Sequence, residues 1–223
     1  MRSISHATVV RAHAHVFKEL SAVGLMTRAL CEVPIVVQAF DIGPFVLAYE
    51  GLYVEEPGLG GLLGFAARTI YVPRLSLSRL VSSVRGGVAS SMRDILRHEL
   101  GHAFAVEHPG LVRRSTAFIR AFGARYDDDV EHDADDCVSA YAATSPAEDF
   151  AETFMTYVRV GGDIARFKGR PAVRKKLRFV AGLAKEVRQR RLGSHFPRVS
   201  RAHRVFSLVC NACVCRGGPR GSG

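Results

Sequence analysis

Residues 98–102 read His-Glu-Leu-Gly-His, which fits the pattern His-Glu-x-x-His. On a helix, positions i and i+4 lie on one face about one turn apart. His98 and His102 can therefore each point a ring nitrogen at one Zn²⁺. Glu99 is rotated by about 100° from His98, so it can reach a water beside the metal without being a ligand. The motif predicts metal-assisted hydrolysis, with Glu99 as the general base.

The helix that must carry this motif is predicted from about Met92 to Val106. Ser90 or Ser91 can supply its N-cap, and Pro109-Gly110 ends it. A buried active-site helix needs uncharged neighbours around the motif. The sequence supplies them at Ile95, Leu96, Leu100, Gly101, Ala103 and Phe104.

A hydrolytic zinc site needs three protein ligands and one open position, and the first candidate for the third ligand is His108. The run from His98 to His108 matches the metzincin spacing His-Glu-x-x-His-x-x-Gly-x-x-His except at Ala105. The glycine of that pattern lets the chain turn back towards the metal. Ala105 resists the positive φ that would assist this turn, and in a helix that continues, His108 lies on another face.

The second candidate is Glu148, on a helix predicted to open at Ser145 and Pro146 as N-cap and first residue. Glu148 and Glu152 are i and i+4, so they face the same way. One of them can bind zinc while the other accepts a hydrogen bond from a ligand histidine. Phe150 and Phe154 indicate that this helix is packed.

Three motifs occur in a fixed order along the chain: His98-Glu-Leu-Gly-His102-Ala, Val138-Ser-Ala-Tyr141-Ala and Glu148-Asp-Phe-Ala-Glu152-Thr-Phe. Together they resemble a bacterial family of zinc-binding metallopeptidases. They are also similar to the catalytic domain of lethal-factor-type zinc proteases, in which a tyrosine lies seven residues before the glutamate ligand. Tyr141 and Glu148 have this separation, and the resemblance covers about residues 69–160.

This resemblance implies a gluzincin-like zinc metallopeptidase, a hydrolase that cleaves peptide bonds with a zinc-activated water. It implies His98, His102 and Glu148 as the Zn²⁺ ligands and Glu99 as the general base. It further implies that Tyr141 is a donor near the metal and that Glu152 supports a ligand. A peptide or protein is the implied substrate, and the resemblance does not supply its identity.

The expected fold is α+β and zincin-like, with a small mixed sheet beside the motif helix and a second helix that carries the glutamate ligand. Residues 7–30 are predicted to form one helix, and strands are predicted at 33–40, 45–55 and 69–73. A turn is predicted at 41–44 and a loop at 57–61. We expect one metallopeptidase domain at 1–193, with its metal-site core at about 69–160. The basic, Cys-containing and Gly-rich tail at 194–223 is expected to be flexible.

Composition limits the compartment and the partners. No apolar run has the length of a membrane span and no secretory signal is apparent, so a cytoplasmic location is the default, with export without a signal left open. Five cysteines without a signal peptide do not indicate a disulfide framework. Oligomeric state is not indicated. A weaker hypothesis is a second zinc site in the tail, formed by His203 with Cys210, Cys213 and Cys215.

The formal net charge is +10, and it is unevenly placed. Between Arg166 and Arg204 there are 14 Lys or Arg residues and one acid, Glu186. Such a block is more often a solvated helical face, but it can contact nucleic acid. A basic nucleic-acid-binding protein with a purely structural zinc is therefore the alternative from another functional class.

Overall fold

The computed structural model describes residues 4–40, 50–56, 65–76 and 91–192. These form an α+β fold, mostly helical, with a three-stranded mixed sheet, as the sequence predicted. The helices are α1 (His6–Val23), α2 (Arg28–Glu32), α3 (Met92–Glu107), α4 (Thr116–Phe122), α5 (Pro146–Arg159) and α6 (Pro171–Leu192). The strands are β1 (Ile35–Phe40), β2 (Leu52–Val54) and β3 (Thr69–Leu75).

Several predictions lie outside the described residues. These are the turn at 41–44, the loop at 57–61 and the tail at 194–223 with its three cysteines. The division into a domain and a tail therefore stays a prediction. Within the described ranges, none of the helices combines the length and the hydropathy that a membrane crossing requires.

The single helix predicted over residues 7–30 is wrong, because the chain forms two helices there. Gly24 has φ 82°, and its N–H caps the carbonyls of Leu20 and Ser21, which ends α1. The side chain of Thr27 then accepts a hydrogen bond from the N–H of Leu30 and begins α2. Leu20 and Leu30 are buried in the same core, so the apolar pattern runs across the break.

The sheet has the order β1-β3-β2. β1 runs parallel to β3, with Ile35 opposite Ile70, and β2 runs antiparallel to β3, with Tyr53 opposite Ile70. Of the strand predicted over 45–55, only Leu52–Val54 is strand among the described residues. β3 continues through Pro73 to Leu75, two residues beyond the strand predicted over 69–73. Its pairing with β2 stops at Tyr71, so Pro73 lies beyond that pairing.

Helix α3 lies at the centre of the fold and packs against α1, α2, β2 and α5. Apolar side chains of α3 and α5 fill the contact between them, among them Leu100, Phe104 and Phe154. Gly101 lies at the closest approach, where an added Cβ would be 3.1 Å from the Cα of Ala151. The two helices that carry the predicted ligands are therefore in direct backbone contact.

Helix α6 covers the other side of α5. Its Lys176 is buried and donates to the Asp149 carboxylate at 2.6 Å and to the Asp136 carbonyl at 2.8 Å. A buried charge needs a partner of this kind, and the pair fixes α5 from the side opposite to α3.

Candidate metal centre

Helix α3 presents His98 and His102 on one side. Ser91 caps the helix by accepting from the N–H of Asp94, and the helix ends where His108 donates its N–H to the Phe104 carbonyl. The two Nε2 atoms lie 3.1 Å apart. The i, i+4 spacing thus brings both ring nitrogens to one point, as the sequence predicted.

Helix α5 brings Glu148 to the same point. Ser145 is its N-cap and accepts from the N–H of Glu148, and Pro146 is its first residue. Glu148 Oε2 lies 3.1 Å from His98 Nε2 and 3.4 Å from His102 Nε2. Among the candidates for a third ligand, the structure places Glu148 beside the two histidines.

The donor set fits zinc. In a tetrahedral site with metal–ligand bonds of about 2.0–2.1 Å, the ligand atoms lie about 3.3–3.4 Å from one another. The three separations measured here are 3.1, 3.1 and 3.4 Å. Glu148 Oε2 is also a buried oxygen without a hydrogen bond of good geometry in the described chain. Among the described residues, His98, His102 and Glu148 form a group whose ligand atoms all lie within 4.8 Å of one another, close enough to hold one metal ion.

The charges of these groups are coupled. Burial alone would lower the pKa of His98, but close contacts with the carboxylates of Glu148 and Glu152 outweigh it and raise this pKa to about 10. Burial alone would raise the pKa of Glu148, but contacts with His102 and His98 hold it well below its usual range. A metal ion that binds between them has to displace the proton of His98.

The Nδ1 atom of each histidine, on the side of the ring away from the ligand cluster, contacts a neighbouring side chain. His98 Nδ1 contacts Glu152 Oε1 at 2.9 Å, and the other oxygen of Glu152 accepts from the Ser139 hydroxyl at 2.7 Å. His102 Nδ1 contacts the hydroxyl of Tyr126 at 3.0 Å. Such partners fix the orientation and the tautomer of a ligand histidine. Glu152 therefore contacts the ring nitrogen of His98 that does not face Glu148.

Glu99 lies on the same helix but faces strand β2. It is buried, and its Oε2 accepts from the backbone N–H of Tyr53 at 2.7 Å. The chain can come this close because Gly51 has no side chain. A Cβ at Gly51 would clash with Ile95 and lie 3.1 Å from Glu99 Oε1. The start of β2 therefore holds the predicted base beside the ligand cluster.

Tyr141 lies on the His98 side of the cluster, in a 3-10 turn over Tyr141–Thr144. Its ring centroid is 5.8 Å from that of His98, and the residue is 55 % exposed. Partial burial of the phenol and the charge of Glu148 raise the pKa of Tyr141. The hydroxyl therefore keeps its proton at neutral pH and can act as a donor.

His108 takes no part in the cluster. Its Nε2 contacts the Thr27 hydroxyl at 3.0 Å, and its ring packs on Phe104. Burial and the charge of Arg190 lower its pKa. The geometry thus separates His108 from His98 and His102, as expected if the helix continues through Ala105.

A cavity of about 540 Å³ adjoins the ligand cluster. Its lining includes His98, Glu99, His102, Tyr141 and Glu148, so the predicted site residues that carry chemistry all face it. The wall also carries four further acids, Glu55, Asp127, Asp128 and Asp129, and no Lys or Arg from the described residues. A protein of net charge +10 therefore has an acidic cavity.

Comparisons with protein-family models, with curated proteins and with solved structures found no match for this chain. The function of the site is therefore inferred from its own geometry.

Sequence reasoning missed four partners in this centre: Gly51, the N–H of Tyr53, Tyr126 and Ser139. Only Ser139 had a local signal, because it lies in the Val-Ser-Ala-Tyr-Ala motif. The other three reach the site through contacts between distant parts of the chain. No spacing rule along the sequence points to them.

Proposed function

We propose that the chain is a zinc-dependent metallopeptidase with His98, His102 and Glu148 as its metal ligands. The observation that carries this proposal is the spacing of the three ligand atoms, which agrees with a tetrahedral zinc site. Three protein ligands facing a cavity leave a position for water or substrate. A structural zinc site is instead closed by four protein ligands.

When bound, zinc supplies a Lewis acid that makes water more acidic and polarises a carbonyl group. Glu99 takes the proton of the attacking water, and the N–H of Tyr53 keeps its carboxylate in place. Tyr141 donates its hydroxyl proton in a hydrogen bond to the substrate oxygen on which charge develops. Removal of one such donor typically costs about 2.7–4 kcal/mol of transition-state stabilisation.

The decisive experiment is Glu99→Gln, tested by mass spectrometry on a diverse peptide library with the zinc-loaded protein. We expect zinc to be retained and cleavage to be lost, because glutamine keeps the shape but cannot accept the proton. Glu107→Gln is the matched control on the same helix, since Glu107 pairs with Arg68 and does not line the cavity. Cleavage by the zinc-loaded Glu99→Gln variant would refute the mechanism.

The acidic wall supports a preference for peptides with cationic side chains. Glu55 and Asp127 share the guanidinium of Arg113, so one positive charge faces two negative ones. Within the described chain, neither Asp128 nor Asp129 forms an ion pair, and a substrate Lys or Arg can supply the missing charge. Asp129→Asn should reduce cleavage of cationic peptides more than Glu131→Gln does. Equal cleavage of Lys and Glu versions of one peptide would contradict this preference.

The nucleic-acid alternative rests on the basic segment that includes α6. Part of that charge has a structural use: Lys176 pairs with Asp149, and Arg188 donates to the Val23 carbonyl. Lys175, Arg178 and Lys185 remain exposed on one face. Salt-sensitive DNA binding that survives removal of the metal would favour this alternative.

A further inference from the structure

Tyr126 is a buried tyrosine, 5 % exposed, that reaches the ligand cluster from the loop after α4. Its hydroxyl lies 3.0 Å from His102 Nδ1, on the side of the ring away from His98. The ring packs against the aromatic side chains of Phe118 and Phe150. Arg113 lies over it, with its guanidinium carbon 5.7 Å from the ring centroid.

The direction of this hydrogen bond follows from the chemistry of imidazole. When His102 binds a metal through Nε2, the neutral ring carries its proton on Nδ1. Nδ1–H then donates, and the Tyr126 oxygen accepts. Without that oxygen the N–H would be buried and unsatisfied, and the ring would lose the contact that selects its tautomer.

We propose that Tyr126 is the positioning residue of His102, equivalent in role to Glu152 behind His98. The inference rests on the proposed zinc site and adds a residue to it. A phenol suits this place because it accepts a hydrogen bond without a charge. Glu99, Glu148 and Glu152 already bring three carboxylates to the cluster, so a fourth behind His102 would add repulsion.

Arg113 explains how the phenol is held. Its guanidinium bridges Glu55, just after β2, and Asp127, which follows Tyr126. The same side chain therefore ties the two walls of the cavity together over the tyrosine ring. The packed ring and this bridge fix the hydroxyl before a metal arrives.

The test is Tyr126→Phe, which removes the hydroxyl and keeps the ring. Tyr157→Phe is the matched control, because Tyr157 is also buried but does not line the cavity. Both are made in the whole 223-residue chain with serine in place of Cys210, Cys213 and Cys215, so that the thiolates of the tail do not bind metal. Zinc affinity is measured by chelator competition, the site geometry by the visible spectrum of Co²⁺, and the stability of the zinc-free protein by urea unfolding.

We expect Tyr126→Phe to weaken zinc binding by about 10- to 100-fold and to change the Co²⁺ spectrum. Tyr157→Phe should leave both unchanged. Zinc affinity within twofold of the parent in Tyr126→Phe, or an equal loss in both variants, would overturn the inference. A parent protein that binds no zinc would overturn the proposed function as well. A parent that binds zinc but cleaves no peptide would overturn the proposed function alone.

Discussion

Gly101→Ala tests whether the contact between α3 and α5 sets the spacing of the metal ligands. The residue lies between His98 and His102 in the motif and faces α5. An added Cβ would lie 3.1 Å from the Cα of Ala151 and 3.4 Å from its carbonyl oxygen. These are backbone atoms, so no rotamer change can relieve the contact. The helices have to move apart by a few tenths of an ångström.

Two opposing terms set the effect on stability. Alanine gains about 1 kcal/mol over glycine in a helix interior, and overpacking of a filled interior costs about 1–3 kcal/mol. We therefore expect the free energy of unfolding of the zinc-free protein to fall by between about 0 and 2 kcal/mol. Zinc binding is more sensitive, because a plausible site needs metal–ligand distances within about 0.2 Å of their usual values. A displacement of Glu148 on this scale should weaken zinc binding at least about tenfold, or about 1.4 kcal/mol.

The assay compares zinc affinity by chelator competition with urea unfolding of the zinc-free protein. Gly182→Ala is the matched control, because Gly182 lies within α6 and an added Cβ there meets no atom within 4 Å. That variant should be more stable and bind zinc normally. If Gly101→Ala is also more stable and keeps its zinc affinity, the backbone contact does not set the ligand spacing and the reasoning fails.

Further changes probe the ligands and their support. In equilibrium dialysis, Glu148→Ala should lose zinc while His108→Ala keeps it, and the reverse result would exchange their roles. Lys176→Met leaves the charge of Asp149 buried without its partner and should cost about 3–5 kcal/mol in urea unfolding; a loss below about 1 kcal/mol would show that the pair is dispensable. Because the pKa of His98 is raised to about 10, zinc has to expel one proton at neutral pH. Affinity should therefore rise about tenfold per pH unit between about pH 7 and 9, and a pH-independent affinity would contradict that protonation.

Local signals predicted the elements that carry the site. Ser91 and Ser145 are side-chain N-caps, Pro146 is the first residue of α5, and the i, i+4 pairs face one way as expected. These features depend on residues a few positions apart, so the sequence expresses them directly. Glu148 was also predicted, through its motif and its helical partner Glu152.

Long-range contacts were not predictable in the same way. Tyr126 reaches His102 across 24 positions and the N–H of Tyr53 reaches Glu99 across 46. Each of these contacts depends on how helices and strands pack against one another, and the spacing of apolar residues along the sequence does not predict that packing. The break at Gly24 was missed because α1 and α2 bury their apolar side chains in the same core. The apolar pattern therefore continues across Gly24 and gives no sign that the first helix ends there.

The site has two halves with different physical character. Helix α5 is fixed on one side by the Gly101 contact and on the other by the buried pair of Lys176 with Asp149. Glu148 is therefore held in register with His98 and His102, as preorganisation of the proposed metal site requires. The cavity wall at Asp128 and Asp129 belongs instead to a loop, with Asp129 exposed. Because loops accept substitution more readily than packed helices, changes in this wall can alter the proposed choice of substrate while the proposed metal centre stays intact.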